Sequence, residues 1–316
     1  MLPKMPEPAR AFLARGAARL WAAGSLALLA CACASPPVSI PHGPSSTSFY
    51  IVAHPDDIEL FMGRNAWRDI EAAAPHVVFI VLTAGDAGLG MEYAMARENG
   101  HDRALRFWSS LDGKQLPATA TTTVRFGAVE LKRQFIGKFV AVYNLRLPDG
   151  DMEGVGYPVT GNEALRLLRA GGPDAVMHSI DGRLQLHYAE LKSLIGAILE
   201  TEAKGSQDVW VNIQDEDARR NPEDHADHTA TAQTVLDVVR EPRFACVSVA
   251  RYLDYVMTGM PQNMDPADTM LHAGTWGALN SARVDGSQVT TWDSLHNSWI
   301  GKEYVRVTPS NLDCRF

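Results

Sequence analysis

Apolar residues along the chain follow two rhythms. Short unbroken runs, Phe49-Tyr50-Ile51-Val52 and His76 to Thr83 (HVVFIVLT), read as strands, and the second is apolar enough to be covered on both faces. Between them, Leu60 to Ala74 reads as a helix that stops before Pro75. Strand, helix and strand in that order make a βαβ unit, whose crossover in a parallel sheet is almost always right-handed. Farther on, the pattern predicts a helix over Glu92 to Trp108 and half-buried strands at Thr121 to Phe126 and Gly137 to Leu147, the first paired as a hairpin with Glu130 to Phe135. Leu184 to Ala203 sets Leu184, Leu191, Leu194, Ile195, Ile198 and Leu199 along one side of a helix that Gly205 ends. Asp208 to Ile213 is a short buried strand, Thr229 to Arg240 a helix and Phe244 to Ala250 a strand. Past Tyr255 the chain is rich in Trp, Asn, Met and Gly and shows no clear period. Strands alternating with helices place the chain in the α/β class.

Composition changes this picture mainly at the N-terminus. The 316 residues, 46% hydrophobic, suffice for one large domain or two small ones. Residues 1–30 read as a signal peptide: Lys4, Arg10, Arg15 and Arg19 precede Leu20 to Ala30, an apolar stretch too short for a permanent membrane span. Leu28-Leu29-Ala30-Cys31 resembles a bacterial lipobox, in which Cys31 becomes the lipidated first residue; plain cleavage after Ala32 or Ala34 is the alternative. Either route exports the protein to the cell envelope, and lipidation would anchor it to a membrane on the periplasmic or surface side. Residues 31–47 are Pro- and Ser-rich and read as a tether, leaving 48–316 as a single domain. With Cys31 and Cys33 in the leader, Cys246 and Cys314 either pair, as exported cysteines do, or leave Cys246 as a buried thiol. The formal charge of −8 becomes more negative without the basic leader, which argues against nucleic acid or anionic lipid as a partner.

Candidate chemistry collects where strands end. His54, Asp56 and Asp57 follow the first strand directly, and ligands of α/β sheets bind just outside the carboxyl ends of strands. Imidazole nitrogen and carboxylate oxygen suit zinc and similar divalent ions. No G-x-G-x-x-G follows this strand, so a dinucleotide is not indicated. Thr83 to Gly90 forms a Gly-rich turn on the same edge; it lacks the Lys-Ser/Thr ending of a P-loop, and its glycines either admit a ligand close to backbone or simply connect. After the 208–213 strand comes a second polar cluster, Asp215 to His228, in which His225 and His228 stand one turn apart if helical. Three protein ligands and an open position are the arrangement of catalytic zinc. Leu147-Pro148-Asp149-Gly150 reads as a turn, with Asp149 serving its geometry.

Ala53-His54-Pro55-Asp56-Asp57-Ile58-Glu59 resembles the A-H-P-D-D-x-E motif of the PIG-L, or LmbE-like, N-deacetylases, and His225-Ala226-Asp227-His228 resembles their second motif, H-x-D-H. The resemblance runs from about Ser48 to Tyr255 and takes in the T-x-G-x-x-G turn of Thr83 to Gly88. It implies a Rossmann-like three-layer α/β/α fold with a mostly parallel sheet. It also implies an enzyme dependent on zinc, or another divalent transition metal, that removes the N-acetyl group from an N-acetylglucosamine-type sugar or glycan. By the same resemblance His54, Asp57 and His228 bind the metal and Asp56 is the general base. His225, when charged, steadies the oxyanion, and Asp227 favours that charged form. Arg97 contacts substrate, with Glu98 as its structural partner, while Glu59 falls at a helix start where the dipole favours a carboxylate. Trp276, Trp292 and Trp299 lie past the resemblance and are either sugar platforms or packing residues. Two other readings compete: the same hydrolysis on a non-sugar N-acyl substrate, and a non-catalytic surface glycan-binding protein. A pure binder has no need of Asp56 and His225.

Overall fold

The unbroken apolar runs become the middle of a sheet. The computed structural model describes residues 35–40, 43, 45–72, 76–111 and 118–312. Its strands are β1 (Ser46–Val52), β2 (His76–Thr83), β3 (Thr119–Phe126), β4 (Val129–Ile136), β5 (Val140–Leu147), β6 (Val176–His178), β7 (Gln185–His187), β8 (Asp208–Gln214), β9 (Ser248–Tyr252) and β10 (Val305–Thr308). All but β6 and β7, which pair with each other, form one sheet in the order β10-β9-β8-β1-β2-β5-β4-β3. From β9 to β5 neighbours run parallel, while β10, β4 and β3 add antiparallel edges.

The longer helices are α1 (Gly63–Ala72), entered through a wide π turn at Ile58–Met62, α2 (Met91–Ser110), α3 (Leu165–Ala170), α4 (Tyr188–Glu202), α5 (Ala226–Val239) and α6 (Pro266–Asp285); a short α7 (Ser294–Asn297) follows. Strand alternation assigns them to two faces. Phe49, Ile51, Val78 and Ile80 share one core with Leu191 and Ile195 of α4 and Val235 of α5. Tyr50, Val52, Val77 and Phe79 share the other with Phe61, Leu105 of α2 and Trp276 of α6. Helices cover both faces of the central strands, which is why those strands lack polar alternation. The fold is α/β, Rossmann-like, with a mostly parallel sheet.

Chain order places the site. From β1 the sheet grows through β2 to β5 on one side, and β8 and β9 are added on the other. The direction of growth therefore reverses between β1 and β8, leaving a crevice at their carboxyl ends, the usual ligand position in such sheets.

Several elements depart from the sequence pattern. The helix expected from Leu184 begins only at Tyr188, because Leu184 and Leu186 are buried while Gln185 is exposed, a two-residue period that belongs to β7. The strand expected over Phe244 to Ala250 starts at Ser248, after a 3₁₀ turn at Pro242–Phe244. Part of the expected tether is docked: Ile40 is buried, the Val38 carbonyl accepts from Asn65 Nδ2 at 3.1 Å, and Ser39 Oγ accepts from Arg64. The leader, Cys31 and Cys314 lie outside the described residues. Cys246 is disulfide-bonded.

The region past Tyr255 contains the 20-residue α6. Its start is conventional: Asp265 caps by accepting from the Asp268 N–H at 2.8 Å, and Pro266 occupies the first turn. Its buried stripe includes Asp268, His272, Thr275, Asn280 and Arg283 among apolar residues, so a hydrophobicity pattern could not reveal it. Trp276 in this stripe is fully buried and stacks on His296 with ring centroids 5.3 Å apart. It is a core residue, and Trp276→Ala should lower stability by about 3–5 kcal/mol. The expected reading is a lower midpoint of denaturant unfolding with an unchanged slope.

Candidate metal and active site

The first motif folds back on the end of β1. The Asp57 N–H donates to the His54 carbonyl at 3.3 Å, and the His54 N–H donates to Asp57 Oδ2 at 2.7 Å. Gln214 at the end of β8 donates its Nε2 to the same oxygen at 2.9 Å. Asp57 is thereby fixed with Oδ1 left for another partner. The second motif arrives as the first turn of α5, where His225 is the N-cap and His228 lies one turn in. His228 Nε2 stands 3.1 Å from Asp57 Oδ1 and 3.1 Å from His54 Nδ1, and His54 Nδ1 is 3.4 Å from Asp57 Oδ1.

These edges test whether a metal fits. Nitrogen and oxygen ligands about 2.0–2.1 Å from a tetrahedral ion stand about 3.3 Å from each other. The His54, Asp57 and His228 atoms already form a triangle of that size.

The outward nitrogen of each of these histidines faces a carboxylate, as is general for metal-binding histidines. His228 Nδ1 is 2.7 Å from Asp224 Oδ1 and 3.5 Å from Asp254 Oδ2, and Asn221 Nδ2 donates to both acids. His54 Nε2 faces Asp227 Oδ2 at 3.5 Å, and that oxygen accepts from the Gly150 N–H at 2.7 Å. A Cβ on Gly150 would come within 2.5 Å of Asp227 Oδ1, so the Pro-Asp-Gly turn needs its glycine here. The acids favour positive charge at both rings. Burial acts to lower the pKa of His54, yet Asp57 and Asp227 outweigh it and raise the value to about 10. Burial likewise opposes, and Asp57 and Asp224 overcome, a rise for His228 well above its ordinary value. Asp224→Ala removes the group that orients His228, and metal affinity should fall about 10- to 100-fold. Competition with a chelating dye measures it.

Beside the triangle lies a cavity of about 250 Å³ whose lining includes His54, Asp56, Asp57, Arg97, Asp149 and His225 together with Tyr93, Tyr255, Arg283, His296 and Trp299. Asp56 is ion-paired with Arg97, whose Nη1 also donates to the Gly85 carbonyl at 2.7 Å. Gly85 has φ +54°, and a Cβ there would lie 2.7 Å from the guanidinium. The Gly-rich turn thus lets Arg97 pass over backbone to reach Asp56. His225 Nδ1 accepts the Asp227 N–H at 3.1 Å, which leaves any ring proton on Nε2, 3.9 Å from Asp149 Oδ1. Burial first, then His54 and His228, push its pKa well below the ordinary value. His225 is accordingly a neutral donor, and the Asp227 carboxylate serves His54 and Gly150 more closely than it serves His225, 4.0 Å away.

Other residues fall in unexpected places. Glu98 pairs bidentately with Arg146 (2.6 and 2.7 Å) and not with Arg97. Glu59 is fully buried against His101 Nδ1 at 2.6 Å, a far stronger constraint than a helix dipole. Asp149 does serve its turn, accepting from the Asp151 N–H at 2.9 Å, but it also lines the cavity. Trp299 lines the cavity and stacks on Tyr255 (5.1 Å, 7°), whereas Trp292 is 42% exposed and does not line it. Asp224, Asp254 and Gln214 were not legible singly; the density of acids between positions 215 and 228 was the available signal for Asp224, and neither Gln214 nor Asp254 falls within it. A larger groove of about 1440 Å³ runs between the β3–β4 hairpin and α4. None of the triangle residues line it, whereas His54 and Asp57 line the smaller cavity.

A family model described as PIG-L, GlcNAc-PI de-N-acetylase, matches residues 49–239. No curated protein matches the chain. The matched segment contains both polar motifs and ends at the close of α5, so β9, α6 and the cavity wall from Tyr255 to Trp299 lie beyond it.

Proposed function

We propose that this chain, which belongs to the PIG-L family of de-N-acetylases, is a metal-dependent hydrolase that removes the acetyl group from an N-acetylglucosamine-type sugar. The observation that carries the reading is the His54–Asp57–His228 triangle, sized for a divalent ion and set beside a cavity that also holds Asp56 and His225. Zinc fits the donor set of two imidazoles and a carboxylate. When bound, such an ion supplies Lewis-acid polarisation and acidifies a water toward neutral pH.

The chain's own groups do the rest. Asp56, held by Arg97, takes a proton from the attacking water and returns it to the departing amine, so acetate and free amine leave together. His225 donates Nε2–H to the oxygen on which charge develops, and its Nδ1 bond to the Asp227 N–H fixes that tautomer. Asp227 orients His54. Trp299 and Tyr255 offer an apolar wall for a sugar ring. The leader and Cys31 support an exported, lipid-anchored enzyme that meets its glycan in the cell envelope.

Acetate release from N-acetylglucosamine oligomers, compared with an N-acetyl amino acid, tests the substrate class. Release from the sugar alone is expected. Release from the amino acid alone would move the activity to non-sugar amides, and sugar binding without release would make the protein a binder.

A further inference from the structure

Arg283, in the last turn of α6, is 1% exposed and lines the cavity. Its Nη2 donates to the Tyr93 hydroxyl at 3.0 Å, and the guanidinium lies 5.0 Å from the centre of the Tyr93 ring. Nε and Nη1 are buried and have no hydrogen-bond partner, and among the described residues no carboxylate pairs with the group. A guanidinium stays charged at any ordinary pH. Buried charges are normally paired, because desolvation is otherwise uncompensated. The fold obeys this rule elsewhere: buried Arg64 meets Asp268 at 2.6 Å, and Arg97 is spent on Asp56. Arg283 is thus a buried cation with unspent donors on the wall of the cavity that holds the hydrolytic groups.

We propose that Arg283 receives an anionic group, a carboxylate or a phosphate, carried by the same sugar unit whose acetamide meets His54 and Asp57. A cavity of about 250 Å³ is small enough that both groups belong to one unit. Guanidinium recognises both anions through paired N–H donors. The residue stands on α6, outside the family-matched segment, so the C-terminal region narrows a shared hydrolytic site to charged amino sugars. The inference rests on the deacetylase reading of the cavity.

The test separates the two. Calorimetry on zinc-loaded Asp56→Asn protein, with and without Arg283→Met or Arg283→Lys, would compare N-acetylglucosamine, its 3-O-lactyl ether and its 6-phosphate. One anionic compound should bind at least about tenfold tighter than the neutral sugar. That preference should shrink to about twofold or less with Met and fall at least about threefold with Lys, which keeps charge but loses the planar fork. Which compound is preferred distinguishes carboxylate from phosphate. Equal binding of all three, or a preference unchanged by either substitution, would overturn the proposal; should the Met variant not fold, the parent ratio and the Lys variant decide. Acetate release by the unsubstituted protein is scored separately. Its absence with all three compounds would refute deacetylation and leave the anion result standing.

Discussion

Asp57→Asn should leave a folded protein that no longer retains its metal and no longer releases acetate. Asp57 is the point on which three segments converge: Oδ2 takes the His54 N–H and the Gln214 amide, and Oδ1 faces both histidines. Asparagine keeps the shape and one acceptor oxygen but removes the charge that a divalent ion needs. Loss of an orienting carboxylate alone weakens metal by about 10- to 100-fold, so loss of a direct ligand should exceed that range. Alanine would add a second effect, since two buried donors would lose their acceptor at about 1–3 kcal/mol each. Elemental analysis after dialysis, beside a thermal melt, separates the two effects. Stoichiometric metal in the asparagine variant would remove Asp57 from the ligand set.

Asp56→Asn should do the opposite, keeping the metal and losing the rate. Asp56 touches neither His54 nor His228 in the triangle; its partner is Arg97. A general acid–base group contributes about 10²- to 10⁴-fold, and kcat should fall by that amount while KM changes little. Arg97 would lose its charged partner but keep the Gly85 carbonyl at 2.7 Å, so the side chain should stay in place. A variant with normal kcat would require a different base, and Asp149, 3.9 Å from His225 Nε2, would be the next group to examine.

The centre of the fold was readable because its signal is local. β2 spans the same residues as the apolar run, His76 to Thr83, since a strand covered on both faces needs nothing but apolar residues. The same locality placed both polar motifs at strand ends. What the sequence hid depends on distant partners. Glu98 is adjacent to Arg97, yet it binds Arg146, which β5 brings alongside. Asp149 looked like a turn residue and is one, but only the assembled crevice shows that the turn lies against His225 and Asp227. α6 was invisible because its inward face carries His272, Thr275, Asn280 and Arg283. The polar residues that blurred its pattern belong to the helix that completes the cavity wall.

The central claim is that the His54–Asp57–His228 triangle holds a divalent ion on which N-deacetylation depends. Its most direct test is acetate release from N-acetylglucosamine oligomers by chelator-stripped protein during stepwise addition of zinc. Activity should start near zero, rise linearly and saturate at about one ion per chain. Undiminished acetate release from the stripped protein would contradict it.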